Sequence, residues 1–197
     1  MPRPIRICLP EVTYHIYTRC IECNNMLNHD FLKNIVVNTI AKALEKYRFE
    51  ISMYQIMDNH IHLVIKTKEG GETISRIVQY IKASVAERYN RLNNRTGPFW
   101  NERFKDIIIE ESDNPVDYFN WLVWYLGFNP VRKKQVADPR EYKYGSIMSY
   151  LIQNYPEPFP VTLHNYFLCL GRTFDQCVQK FLEYEDMYRR RLMSFVF

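Results

Sequence analysis

Asn59-His60-Ile61-His62-Leu63-Val64-Ile65 sets two imidazoles two residues apart inside an apolar, β-prone run. In a strand such residues point to one side while Ile61 and Leu63 point to the other. With Cα atoms roughly 6.5 to 7 Å apart by strand geometry, the two rings can converge on one cation, and further ligands must come from elsewhere. The same pattern describes a solvated strand face that happens to carry two histidines. A second chemical candidate is Tyr125, one helical turn before Asn129 on a segment whose Phe119, Leu122 and Leu126 mark the buried side. A tyrosine beside an amide suits a nucleophile next to a metal ligand. It equally suits a half-buried phenol with its hydroxyl bonded, and with 15 tyrosines in the chain, spacing alone does not single it out.

The elements that must position these groups are legible in outline. Val12 to Thr18 alternates β-branched and aromatic residues as a strand does. Phe31, Ile35, Ile40, Leu44 and Tyr47 recur at helical spacing, with Asn28 or Asp30 placed to cap the start. Glu50–Met57 and His60–Lys66 read as two strands joined by the turn-like Asp58-Asn59. After Gly70-Gly71, an apolar stripe of Ile74, Ile77, Val78, Ile81 and Val85 predicts a helix to about Asn90. A loop at Asn93–Pro98 leads to a strand candidate, Phe104–Glu110. The order βαββαβ predicts an α+β, ferredoxin-like antiparallel sheet with both helices on one face. Asn114-Pro115 supplies an N-cap and a first-turn proline for a later helix, the one carrying Tyr125, which ends near Gly127 to Pro130. Beyond it lie a basic stretch, the proline-rich Tyr155–Pro160 and a final helical piece ending in Tyr188-Arg189-Arg190-Arg191. The expected division is residues 1–150 as the chemical domain and 151–197 as a C-terminal helical extension.

Composition bounds the partners. The net charge of +4 permits a phosphate partner without requiring one. Aromatics are abundant, with 12 Phe and 3 Trp beside the tyrosines, and many adjoin Lys or Arg. From Gln79 to Lys105 the cations Lys82, Arg88, Arg91, Arg95, Arg103 and Lys105 are interleaved with Tyr80, Tyr89, Phe99, Trp100 and Phe104. Phosphates meet cations and unpaired bases stack on aromatics in such stretches; an amphipathic helix with a solvated basic face has the same look. Arg132, Lys133 and Lys134 extend the track, and Arg189 to Arg191 either add contacts or form a charged terminus. The five cysteines are irregularly spaced, no apolar run approaches the ~18 residues that span a bilayer, and Met1–Arg6 lacks the apolar stretch of a signal peptide. A reduced, cytoplasmic setting without a membrane partner is expected. Cys20-x-x-Cys23 has no second pair at a matching distance and reads as structural. His15 reads as a packing histidine.

Tyr14-His15-Ile16-Tyr17-Thr18-Arg19, Met57-Asp58-Asn59-His60-Ile61-His62-Leu63, Phe99-Trp100-Asn101-Glu102-Arg103-Phe104 and Trp124-Tyr125-Leu126-Gly127-Phe128-Asn129-Pro130-Val131-Arg132 together resemble, in order, the motifs of REP-associated tyrosine transposases. These are HUH-type single-tyrosine enzymes related to the transposases of the smallest bacterial insertion sequences. The likeness runs from about residue 10 to residue 150. It implies His60 and His62 as ligands of magnesium or manganese, Tyr125 as the nucleophile, and Asn129 as the side chain that completes the metal site. Pro130 disfavours the α conformation at the residue before it and puts the direction of Asn129 in question. The implied reaction is cleavage and rejoining of single-stranded DNA through a 5′-phosphotyrosine, on a site flanked by a hairpin. Arg19 and Arg132 join Lys82, Arg88, Arg91, Arg95, Trp100, Arg103 and Lys105 as expected DNA contacts; monomer and homodimer both remain open. Two positions depart from the family. Asp58 stands where proline is usual, to orient an imidazole or to cap the turn, and Gly127 stands where histidine is common. The rival readings are a non-catalytic single-stranded nucleic-acid-binding protein derived from such an enzyme, and a metallohydrolase that uses water.

Overall fold

A computed structural model describes residues 8–194; the N-terminal Met1–Arg6, read above as lacking a leader, lies outside the described residues. The elements run β1 (Thr13–Arg19), α1 (Asp30–Lys46), β2 (Phe49–Ile56), β3 (His60–Thr67), α2 (Ile74–Leu92), β4 (Lys105–Ile108), α3 (Pro115–Gly127), α4 (Asn129–Arg132), α5 (Asn165–Leu168) and α6 (Phe174–Ser194). The four strands form one antiparallel sheet in the order β2-β3-β1-β4. β3, which carries the histidine pair, is therefore an inner strand. The βαββαβ order and the α+β class expected from the sequence are what the chain forms.

Each face of the sheet supports its own core. Tyr14 and Ile16 of β1 and Ile61, Leu63 and Ile65 of β3 pack under α1 and α2 with Val36, Ile40, Ile77 and Ile81. Residues one position along point the other way, so Val64 of β3 and Met53 of β2 join a second core with Phe119, Val123 and Trp124 of α3 and Phe181 of α6. A bulge between Ile51 and Met53 lets β2 feed both. The C-terminal segment contributes Phe167, Cys177, Phe181 and Tyr188 to this second core: Trp124 stacks on Phe181 with ring centroids 4.8 Å apart and donates its indole N–H to the Phe181 carbonyl at 2.8 Å. Arg189, one of the three terminal arginines, bonds Glu185 and Asp138, and Arg140 meets the same two carboxylates. The open edge of β2 is covered in part from each side of the expected division at residue 150, Ile56 N bonding the Tyr144 carbonyl and Thr162 N bonding the Ile51 carbonyl, each at 2.8 Å.

Local signals decided most boundaries. Thr73 caps α2 by accepting from Arg76 N, and Asn114 caps α3 by accepting from Asp117 N with Pro115 in the first turn. At the entry to α2, Gly70 takes φ +67°, and a Cβ on Gly71 would lie 2.6 Å from the Arg48 carbonyl oxygen; neither position suits a side chain. The start of α1 differs from expectation. His29, not Asn28 or Asp30, is the N-cap and makes no side-chain cap bond. Phe31 is 61% exposed, while Lys33 is buried because its ammonium meets Asp58 at 2.6 Å. β4 is shorter than Phe104–Glu110, since Ile109–Glu111 turns into a 3₁₀ segment. Among the described residues no helix is long and apolar enough to cross a membrane.

Candidate active site

The His60–His62 pair lies on the sheet face that α3 and α6 cover, each residue 5% exposed, so the solvated-face alternative does not apply. Strand register assembles the surroundings. Directly opposite residues share a face, and His62 is flanked by Gln55 on β2 and Tyr17 on β1, with Lys105 of β4 beyond Tyr17. Arg19 stands opposite His60. The turn before β3 is pinned by backbone bonds from Cys20 N to the Asn59 carbonyl and from Leu27 N to the Asp58 carbonyl.

Both rings are anchored through the same atom. His60 Nδ1 meets Asn59 Oδ1 at 2.7 Å, and an amide oxygen only accepts, so this nitrogen carries the proton. His62 Nδ1 lies 3.0 Å from His15 Nε2, the two rings stacked at 5.2 Å. With the proton on His62 Nδ1, each ring keeps its Nε2 lone pair for a ligand. The two rings sit 5.1 Å apart, edge to face. Burial, then the cations Arg19, Lys133 and Arg132, push His60 down to about 4. Burial holds His62 well below the usual histidine range and brings His15 to about 4. All three are neutral at pH 7, the form that ligates a metal.

α3, which packs on this face, carries Tyr125, 36% exposed. The Arg132 guanidinium lies over the Tyr125 ring, 4.3 Å from its centroid, and bonds the Tyr125 carbonyl at 3.3 Å and Asn129 Oδ1 at 2.6 Å. Pro130 does not divert the chain. Phe128 stays helical at φ −78°, ψ −3°, and Pro130 occupies the first turn of α4, where its missing N–H is not needed. Asn129 is consequently buried, with Nδ2 lacking a hydrogen-bond partner. Gly127 packs against Ile147, whose Cδ1 would stand 3.4 Å from an added Cβ, so a larger side chain there would press on Ile147. Asp58 serves neither the imidazole nor the turn alone. It bonds Lys33 of α1 and, at 2.5 Å, Gln135 just beyond α4, tying the Arg132–Lys134 stretch to the site.

The donor set fits a divalent cation in part. Two neutral imidazoles lie close together, edge to face, and a buried oxygen, Tyr17 Oη, belongs to the ring packed against both. Among the described residues no three His, Cys, Asp or Glu groups form a ready metal site, so water or substrate oxygens would have to complete the shell.

The expected DNA contacts divide between the two faces. Arg19, Lys105 and Arg132 share the histidine face and are exposed. Lys82, Arg88, Arg91 and Arg95 belong to α2 and its following loop, in the layer across the sheet. Arg95 is occupied in stapling that loop, bonding Asn90 Oδ1 and the Pro98 carbonyl. Trp100 is 9% exposed, packed edge to face on Phe99, with its indole N–H donated to the Lys82 carbonyl at 2.8 Å. Arg103 is exposed just before β4. Cys20 is buried, its thiol pushed up to about 12 by burial, and Cys23 accepts from Arg19. Asn59 and Tyr17 are site residues to which the sequence reading gave no role, and His15, read as a packing histidine, is the hydrogen-bond partner of His62. The available signal was the alternation His15, Tyr17, Arg19 on one face of β1, which gains meaning only once β1 is the neighbour of β3.

Comparison with known proteins gives a consistent result. No curated protein matches. Among solved structures the chain is similar to a REP-associated tyrosine transposase bound to a REP hairpin, with TM-score 0.63 at 18% identity over 83% of this chain and 94% of that one. A protein from Deinococcus radiodurans R1 assigned as a transposase aligns with TM-score 0.37 at 18% identity, over 54% of this chain and 85% of that one. The first of these supports the fold, and the second adds nothing to it. The model of the IS200-like transposase family matches residues 8–117, a span that includes the histidine pair and stops short of Tyr125. That match covers more than half of the 197 residues, and the chain belongs to the IS200-like transposase family.

Proposed function

We propose that the chain is a metal-dependent endonuclease and strand transferase for single-stranded DNA, acting on hairpin-flanked sites through a 5′-phosphotyrosine on Tyr125. One observation carries this reading: two buried imidazoles, both anchored through Nδ1, lie on the sheet face packed by α3, the helix that carries a tyrosine open to solvent. Family membership and a fold neighbour bound to a REP hairpin support a DNA partner.

His60 and His62 would hold magnesium or manganese, and Asn129 would add the Oδ1 lone pair that Arg132 leaves. When bound, the ion supplies polarisation of a nonbridging oxygen on the scissile phosphate. His15 and Asn59 keep the two ligating nitrogens oriented. Arg19, Lys105 and Arg132 draw the phosphate backbone onto this face, and Arg132, seated on the Tyr125 ring, fixes the direction of attack. Tyr125 Oη attacks phosphorus, the bond from phosphorus to the 3′ oxygen breaks, and the 5′ phosphate remains on the tyrosine. The phenol proton passes to water and the departing oxygen takes one up. Because the phosphodiester energy is retained in the phosphotyrosine, another 3′-hydroxyl can reverse the step and join a new end.

The test is incubation of the protein with a labelled hairpin oligonucleotide and manganese, followed by a search for a denaturation-resistant protein–DNA adduct. Wild type should form it and Tyr125→Phe should not; equal cleavage by both would end the tyrosine mechanism. A second reading, a non-catalytic single-stranded nucleic-acid-binding protein, is favoured by the family match ending at residue 117, before the nucleophile. Binding without an adduct in the same assay would select it.

A further inference from the structure

Tyr17 is not used by the mechanism above, yet it lies at the centre of the site. Its ring centroid is 4.9 Å from that of His62 and 5.6 Å from that of His60, and the Arg19 guanidinium lies over its face at 5.3 Å. Its hydroxyl is buried and donates to no group, the Arg19 guanidinium alone interacting with its oxygen. Among the described residues four buried side-chain polar atoms lack a partner, and two of them, Tyr17 Oη and Asn129 Nδ2, belong to this cluster. Both can donate. The cations acting on His60, Arg19, Arg132 and Lys133, also only donate, and the carboxylate among its charged neighbours, Asp58, is already bonded to Lys33 and Gln135. A buried recess with donors left over is suited to a ligand made of acceptors, and a phosphodiester is such a ligand.

We propose that Tyr17 is a further catalytic residue, its hydroxyl donating a hydrogen bond to a nonbridging oxygen of the scissile phosphate. This rests on the function proposed above. Charge grows on those oxygens as the new bond forms, so a fixed donor there stabilises the transition state more than the bound strand. Phenylalanine would fill the same space without burying a hydroxyl proton that has no acceptor. Keeping the hydroxyl therefore has a stability cost that a functional role accounts for.

The test is Tyr17→Phe in the full chain, with the hairpin oligonucleotide and manganese. The rate of adduct formation should fall on the order of 10²-fold, the usual effect of removing one such donor. Hairpin affinity and manganese affinity should change less than about twofold, because binding alone does not call on this bond. The melting temperature should hold or rise, since the deleted hydroxyl donated to no group. A wild-type rate in the variant would overturn the proposal, as would a lost rate accompanied by a lower melting temperature or weaker manganese binding, which marks a packing role. Absence of an adduct from wild type itself would remove the function and this proposal together; a wild-type adduct with an unchanged Tyr17→Phe rate removes only this one.

Discussion

Acid should weaken this fold in a defined window, and His164 allows the effect to be isolated. The residue is buried, away from the candidate metal ligands, with Nδ1 accepting from Tyr166 N at 3.1 Å and Nε2 2.8 Å from Thr13 Oγ1. Its ring stacks on Phe119 at 4.6 Å. Burial lowers it from the ordinary 6.5 to about 4, with Glu110 opposing and Lys66 assisting. Because the folded chain resists a proton that the unfolded chain accepts, the contribution is complete above pH 6.5 and is lost as pH falls toward 4. The shift corresponds to about 3 kcal/mol in full, of which about 2 kcal/mol is lost by pH 5. Asparagine at this position keeps a cap for Tyr166 N and cannot titrate. Urea unfolding of wild type and His164→Asn at pH 7 and pH 5 gives four stabilities. The variant should be weaker at pH 7, having lost the Thr13 bond and ring packing, but its fall from pH 7 to pH 5 should be smaller than that of wild type by about 2 kcal/mol. Equal falls would show that His164 does not titrate as its burial requires.

Two other outcomes follow from the site. His15→Phe leaves a buried ring but takes the partner from His62 Nδ1, so manganese affinity measured by calorimetry should drop about 10- to 100-fold with the fold retained; unchanged affinity would mean that His62 is held by packing alone. At Gly127 the nearest atoms of Ile147 are 3.4 Å from an added Cβ. Alanine should therefore be tolerated and gain up to ~1 kcal/mol from helix propensity, whereas histidine should cost about 1–3 kcal/mol in displacing Ile147. Urea midpoints check both, and a stabilised Gly127→His would contradict the packing seen here.

What was legible in the sequence is what is local. Alternation along β1 and β3, the stripe on α2 and the Asn114-Pro115 cap all express a period or a bond within a few residues, and they are found where expected. The shared face of His60 and His62 is of this kind. Features that depend on distant partners were not legible. Lys33 is buried and Phe31 exposed because Asp58 lies across from α1, a pairing no periodicity reports. Trp100 sits among cations in sequence, yet the bridge to Cys20 and the bond to the Lys82 carbonyl turn its face inward. The orientation of His62 depends on a residue 47 positions earlier, brought alongside by sheet register. The long α6 is amphipathic, but its role in holding the tyrosine helix becomes apparent only from the second core.

That second core has a consequence for how the protein comes into being. A ribosome delivers the chain from its N-terminus, so the sheet with its histidines can assemble while α6 has yet to be made. Tyr125 by then has emerged as sequence, but Trp124 beside it still lacks Phe181, its stacking and hydrogen-bonding partner. The helix of the proposed nucleophile gains this support only once α6 has been made. A nascent molecule that has yet to make α6 thus carries every proposed reactive group without the packing that holds the tyrosine helix, and under the proposed function competence to cut would follow the synthesis of α6.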